Sequence, residues 1–255
     1  MKVSEPQVRI PDPDENVDQD QEWCEILEDG EWRRIRFHDY DEIYNIPGFY
    51  EKLFYEVLEC DSPRTLRNLV AEELEASERD GGDLRVLDLG AGNGMVGEQL
   101  AELGVPEIVG VDIIEEAAEA TERDRPGIYS DYVITDLTQP PTEVRNKLAE
   151  LRCNCLTSVA ALGFGDIPPQ AFAQAFSLIE TEGLIGFSIK ESMIGDRTDH
   201  SGFFDLVDAA LGDGTMELSR SRRYQHRLAI TGEPIYYIAM IAHKRGELPP
   251  EALEA

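Results

Sequence analysis

A chain of 255 residues is long enough for one sizeable α/β core with additions. Its formal charge of −29 at pH 7 argues against tight, non-specific binding to nucleic acid, because the field of such a protein repels phosphates. No apolar run approaches the roughly 18 residues a spanning helix needs, and the first residues lack a signal peptide's apolar stretch, so no membrane association is expected and the cytoplasm is the expected location.

The acids are spread through the whole sequence and the basic residues are 18 Arg against 5 Lys, a balance that reads as salt adaptation. Four cysteines include no Cys-x-x-Cys pair. Cys153 and Cys155 flank Asn154 in a predicted buried strand, on one side of it, so they read as core thiols and no metal is expected.

Residues 1 to about 20 carry Pro6, Pro11 and Pro13 among acids, with little to bury, and are expected to be mobile. From Trp23 to Phe37 two strand-like runs flank Asp29-Gly30, which predicts a hairpin. His38, Tyr40, Tyr44, Phe49, Tyr50, Phe54 and Tyr55 follow, interrupted by Pro47-Gly48. Phe49, Leu53 and Val57 share a helical face, predicting a helix from about 49 to 59. Residues 21–61 thus read as a cap. Ser62-Pro63 supplies a cap residue and first-turn proline for the next helix, with Leu66, Leu69, Val70 and Leu74 as its buried stripe and Gly81-Gly82 at its end.

The stretch from Arg85 to Leu100 organises the rest. Val86, Leu87 and Leu89 read as a buried strand, Gly90, Gly92 and Gly94 as a turn, and Met95, Leu100 and Leu103 as a helix. Glycines there admit torsions that side chains forbid and let the main chain approach a ligand. A second strand, Ile108–Val111, ends at Asp112, 20 residues after Gly92, the interval at which a doubly wound sheet brings a carboxylate to a cofactor ribose; otherwise Asp112 caps the helix near Glu115. Gly92 to Gly97 formally matches Gly-x-Gly-x-x-Gly, which leaves a nicotinamide or flavin cofactor as an alternative.

Tyr132-Val133-Ile134 is a third strand, followed by Asp136-Leu137. Leu156 to Leu162 is the fourth, and Pro168-Pro169 opens a helix that turns Phe172, Phe176 and Ile179 inward. Leu184–Ile189 is the fifth strand, and Phe203, Leu206, Val207 and Leu211 mark a helix. Arg227 to Thr231 and Ile235 to Lys244 read as closing strands joined at Gly232-Glu233-Pro234, and the tail from Gly246 is expected to be mobile.

Asp88 stands two residues before the first glycine, giving Asp-x-Gly-x-Gly-x-Gly. An anion there suits a cationic ligand such as a methionine amino group or a nearby sulfonium. This motif resembles the first motif of class I S-adenosylmethionine-dependent methyltransferases, and the likeness extends over about residues 62–245. It implies a Rossmann-like, doubly wound α/β sheet of seven strands, mostly parallel with an antiparallel closing strand, helices on both faces, and an N-terminal cap. It also implies S-adenosyl-L-methionine as cofactor and S-adenosyl-L-homocysteine as product. The implied cofactor contacts are Asp88, Gly90, Ala91, Gly92, Asn93, Gly94, Asp112, Ile113, Asp136, Leu137 and Ala160. In the family, an acid at the place of Asp136 meets the adenine amine and the next backbone N–H meets a ring nitrogen.

For the acceptor, the loop Ala160-Ala161-Leu162-Gly163-Phe164-Gly165-Asp166 lacks the Asn-Pro-Pro-Tyr motif of amino-methylating enzymes and the Pro-Cys nucleophile of cytosine C5 enzymes. It looks like the small-molecule branch, with a layout similar to the Williams–Beuren region methyltransferase-like proteins. The expected reaction is in-line methyl transfer to an oxygen or nitrogen of a small organic molecule. His38, His200 and Asp166 are the candidate bases, needed only if the acceptor is protonated. Tyr40, Tyr44, Gly163, Phe164 and Lys190 are the candidate acceptor-pocket residues, while His226 and His243 read as structural. The alternatives are a protein or RNA methyltransferase and a non-catalytic S-adenosylmethionine-binding module.

Overall fold

The computed structural model describes residues 6–10, 12, 17–162, 166–194 and 202–253. Strands β1 (Val8–Arg9), β2 (Trp23–Glu28) and β3 (Glu31–Arg36) form a small antiparallel sheet. Asp29 (φ 50°) and Gly30 (φ 86°) both adopt left-handed torsions, so the predicted hairpin closes through the two-residue turn whose twist matches its strands. Val8, in the segment expected to be mobile, pairs with Ile26. Helix α1 (Tyr40–Asn45) is too short to have left a periodic signal. The helix expected from about 49 is a π-helical stretch, Glu51–Val57, in which the Leu58 N–H donates to the carbonyl of Leu53, five residues back. Cys24, Ile26, Ile35, Phe37, Phe49, Leu53 and Leu58 give this cap a core of its own.

The remaining elements are α2 (Ser62–Ala76), β4 (Arg85–Leu89), α3 (Met95–Ala101), β5 (Glu107–Asp112), α4 (Glu115–Asp124), β6 (Asp131–Ile134), α5 (Thr142–Glu150), β7 (Cys155–Ser158), α6 (Pro169–Ser177), β8 (Leu184–Lys190), α7 (Phe203–Gly212), β9 (Met216–Leu228) and β10 (Pro234–Lys244). Seven strands lie in the order β6-β5-β4-β7-β8-β10-β9, with β10 antiparallel to both neighbours and the others parallel where they pair. One face of the sheet packs Leu148, Phe172, Phe176 and Phe203 from α5, α6 and α7, and the other packs Leu66, Leu69, Val70, Val96 and Leu100 from α2 and α3. The Rossmann-like architecture, mostly parallel with an antiparallel closing strand, is therefore present.

Several boundaries differ from expectation for physical reasons. Asp61, not Ser62, precedes α2; Ser62 is the first helical residue, and its hydroxyl is used in a buried contact with His226. Strand β7 ends at Ser158 rather than running to Leu162, because Ala160 takes a positive φ of 56° that turns the chain out of the sheet. Cys153 precedes that strand and packs on the opposite side from Cys155, and burial raises their thiol pKa values to about 11 and about 12. The first closing strand is not 227–231 but β9, whose edge position leaves most of Glu217–Arg223 facing solvent and disguises it as a polar segment. Beyond Gly246, Leu248 is buried and Ala252 packs against the core. Among the described residues no helix is long and apolar enough to cross a membrane.

Candidate active site

The carboxyl end of β4 turns sharply. Gly90, Gly92 and Gly94 have φ values of 72°, 53° and 86°, and the N–H groups of Gly90 and Ala91 both donate to the carbonyl of Val111 on β5. Space is also short here: a Cβ on Gly90 would lie 2.8 Å from Ile167 Cδ1, and one on Gly92 would lie 2.6 Å from Tyr44 Oη. Glycine is thus required at both positions by torsion and by the close approach of neighbours.

Asp112 at the end of β5 fastens this turn. Its Oδ2 accepts the Gly92 N–H at 2.9 Å, and its Oδ1 accepts those of Ile113 and Ile114 at 2.8 and 3.0 Å. Burial raises its pKa against the effect of these three donors. A carboxylate has about four acceptor positions, so Oδ2 retains capacity for one more strong donor. The Ile113 side chain is 62% exposed on the rim.

Asp88 occupies a different place from the one expected of it. It is 1% exposed and does not line the cavity above the turn. Its Oδ1 accepts from Thr157 Oγ1 at 2.6 Å and its Oδ2 from Tyr129 Oη at 2.7 Å, while burial raises its pKa to about 6. It braces β4 against β7 from beneath the turn rather than facing a ligand.

That cavity has a volume of about 330 Å³. Gly90, Ala91, Gly92, Asn93, Asp112, Ile113, Asp136, Leu137 and Ala160 line it at the carboxyl ends of the parallel strands, as expected at the topological switch point. Gly94 and Lys190 do not line it, because Gly94 is turned towards α4 and Lys190 ends β8. Asp136 is held by its own turn, Oδ1 accepting from the N–H and hydroxyl of Thr138 at 2.8 and 2.7 Å. Gly163, Phe164 and His200 lie outside the described residues.

The cap roofs this space. Tyr40, Tyr44 and Tyr50 form a stack with centroid spacings of 6.0 and 5.2 Å, and burial keeps their hydroxyls protonated by raising their pKa values. Sequence reasoning missed the clamp that holds the roof down. Glu51 of the π-helical stretch accepts from Asn93 Nδ2 and from Arg125 Nη1, each at 2.7 Å, and Arg125 also reaches the Asn93 carbonyl. No local pattern marks such a contact, since its members come from three separate elements.

Two candidate bases come together. His38 Nδ1 lies 3.3 Å from Asp166 Oδ2, and both residues line the cavity. Farther round the wall, Arg227 Nη2 donates to Glu22 Oε2 at 2.5 Å in an ion pair whose side chains are 3% and 2% exposed. Arg227 Nη1 donates to the Leu228 carbonyl, and Glu22 Oε1 accepts the Ile230 N–H. His226, read as structural, also lines the cavity. It stacks on Tyr237 at 4.1 Å with Nδ1 2.7 Å from Ser62 Oγ, and burial beside Arg227 depresses its pKa well below the ordinary value, so the ring is neutral. His243 instead pairs with Glu73, away from the cavity.

Comparison with known proteins agrees with this geometry. A family model described as a methyltransferase domain matches residues 61–227. The ribosomal protein L11 methyltransferase of Ectopseudomonas mendocina (strain ymp) is 32% identical over 163 residues, 61% of this chain and 50% of that protein, so the chain spans about half the length of this curated relative. A Pyrococcus horikoshii structure provisionally described as an RNA methyltransferase is 14% identical with a TM-score of 0.50, covering 72% of this chain and 83% of that one. Magnesium protoporphyrin IX methyltransferase from Synechocystis PCC 6803, solved with bound S-adenosylmethionine, is 17% identical with a TM-score of 0.49, covering 71% and 79%. With more than half of its residues matched by the family model, on a sheet whose first turn carries the three glycines, the chain belongs to the methyltransferase-domain family of S-adenosylmethionine-dependent enzymes.

Proposed function

We propose that this protein transfers the methyl group of S-adenosylmethionine to an oxygen or nitrogen of a small organic molecule held under the cap. The observation that carries this reading is the His38–Asp166 pair on the same cavity as the glycine turn and Asp112. The chemistry of the wall fits the cofactor. Asp112 Oδ2 has acceptor capacity for a ribose hydroxyl, Asp136 and the Leu137 N–H suit the adenine edge, and Ile113 offers an apolar surface to its ring. Gly90 and Gly92, which carry no side chains of their own, would present main chain to the amino-acid portion, with Ile167 and Tyr44 close beside them.

When bound, the cofactor supplies a methyl group on a sulfonium; the acceptor's lone pair forms the new bond while the carbon–sulfur pair stays on sulfur, leaving a neutral thioether. His38 removes the acceptor proton. Asp166 holds the imidazole through Nδ1, which leaves Nε2 as the nitrogen that takes the proton. The tyrosine roof excludes water and fixes the acceptor's approach, which contributes through proximity and orientation.

A protein acceptor is the second reading, favoured by the likeness to the L11 methyltransferase. It requires a side chain to enter beneath the cap. The first test is calorimetric titration with S-adenosylmethionine, S-adenosylhomocysteine and NAD at low and high salt, followed by mass spectrometry of incubations with small hydroxyl and amine compounds or with ribosomal protein L11. Binding of both adenosyl compounds without NAD, and mass gain on a small molecule alone, supports the proposal. Methylation of L11 alone replaces it with the second reading, and adenosyl binding without any product points to a non-catalytic module.

A further inference from the structure

We propose that the acceptor is an uncharged, planar molecule, and that Glu22 sets this preference by neutralising Arg227 in the acceptor half of the cavity. The inference rests on the methyl-transfer reading and deepens it. Away from the glycine turn the wall is formed largely by rings, Phe37, Tyr40, Tyr50, Phe54 and Tyr237 among them, which favour a flat apolar partner.

The polar groups on this wall are neutral or internally compensated. Gln19 Nε2 donates to Tyr237 Oη at 3.2 Å, an uncharged pair. His226 is neutral and bonded to Ser62. Asp166 faces His38. The one guanidinium that lines the cavity among the described residues, Arg227, is held by a carboxylate and a backbone carbonyl, so its charge is already answered. An anionic acceptor would lose its hydration and, among the described residues that line the cavity, find no uncompensated cation, with Asp112, Asp136 and Asp166 on the same cavity. A cationic acceptor would be brought against a sulfonium of the same sign, and the carboxylates it could turn to are already engaged, Asp112 by backbone N–H groups, Asp136 by Thr138 and Asp166 by His38. A neutral molecule meets neither cost.

A buried arginine paired with a carboxylate from the cap is also a selector that one substitution can reset. Glu22→Gln keeps the size and the amide oxygen for the Ile230 N–H, but leaves the guanidinium with its full charge facing the cavity wall.

The test uses the full-length protein loaded with S-adenosylhomocysteine and near-isosteric probe pairs that differ in charge: 4-hydroxybenzamide and 4-hydroxybenzoate, and the corresponding 6-hydroxy-2-naphthamide and 6-hydroxy-2-naphthoate. Binding is read by saturation-transfer NMR and calorimetry. The expected result is that at least one amide binds the natural protein at least about tenfold more tightly than its carboxylate. In Glu22→Gln that carboxylate should gain about tenfold or more, with the amide changed by less than about threefold, the size expected when a desolvated charge finds a partner. Circular dichroism establishes that the variant is folded; should it not fold, Glu22→Met combined with Arg227→Met, which keeps the wall neutral, must retain the preference for the amide. Carboxylates binding the natural protein as well as amides, no amide binding at all, or no gain in a folded Glu22→Gln each overturn the proposal. Failure of the parent reading is distinct, since it appears as absence of S-adenosylhomocysteine binding before any probe is added.

Discussion

His38 Nδ1 stands 3.3 Å from Asp166 Oδ2, joining the cap to the loop that follows β7 across 128 positions of sequence. If this pair removes a proton from the acceptor, His38→Gln should lower kcat by about 10²- to 10⁴-fold, the usual weight of general-base catalysis. Affinity for S-adenosylhomocysteine should be unchanged by calorimetry. An unchanged kcat would mean that the acceptor is already deprotonated and that the pair only positions the cap.

Asp112→Ala removes the acceptor of three backbone N–H groups as well as the carboxylate proposed to meet the ribose. Calorimetry should show loss of S-adenosylmethionine binding, while circular dichroism shows the native fold with a modestly lower Tm. Undiminished affinity would refute the ribose assignment.

Asp88 has a folded-state pKa of about 6 against an ordinary value of 3.8. Because the native state holds this proton more tightly, the contribution of Asp88 is most favourable below about pH 4 and is lost as pH rises towards about 6. Asp88→Asn should therefore remove a decline in stability over that window and leave the variant more stable at pH 7 by at most about 3 kcal/mol. The Thr157 and Tyr129 hydroxyls can rotate to serve the amide. Urea titrations of both proteins from pH 4 to 7 test this; parallel pH profiles would count against a strained buried carboxylate.

The Glu22–Arg227 pair is buried on both sides. Arg227→Met should cost about 3–5 kcal/mol by stranding the carboxylate, whereas Glu22→Met with Arg227→Met should recover most of that loss. Urea midpoints give the comparison, and equal losses in single and double variants would show that packing rather than charge holds the cap.

With a formal charge of −29, repulsion among carboxylates should fall as salt screens it. If the composition is an adaptation to salt, Tm should climb as potassium chloride approaches molar concentration, and a flat Tm would remove that explanation.

What could be read from the sequence was local. The apolar run of β4, the glycines after it and Asp112 lie within 28 residues, and each has a backbone reason to be what it is. His38 and Asp166 were each visible as candidates, but their meeting depends on how the cap lies on the sheet. Glu51, Arg125, Glu22 and Arg227 carried no signal, because ion pairs between distant elements leave no periodicity. The same physics explains α5, where Leu148 is the one fully buried residue of the helix and the apolar stripe is correspondingly faint.

The cap is encoded ahead of the sheet it covers, yet it is anchored by the far end of the sequence: Arg227 and Ile230 reach Glu22 across 205 and 208 residues, and the Leu228 N–H donates to the Leu58 carbonyl. At a synthesis rate of about 5–20 residues per second, Glu22 waits about 10–40 s for its partner. Through that interval the first sixty residues have no late strand to dock on, and the wall that would select an acceptor does not exist. The glycine turn and its two neighbouring strands can form well before then. During biosynthesis the glycine turn and its neighbouring strands thus emerge first, and the wall that holds Glu22 and Arg227 can close only after β10, through which β9 joins the sheet, has emerged.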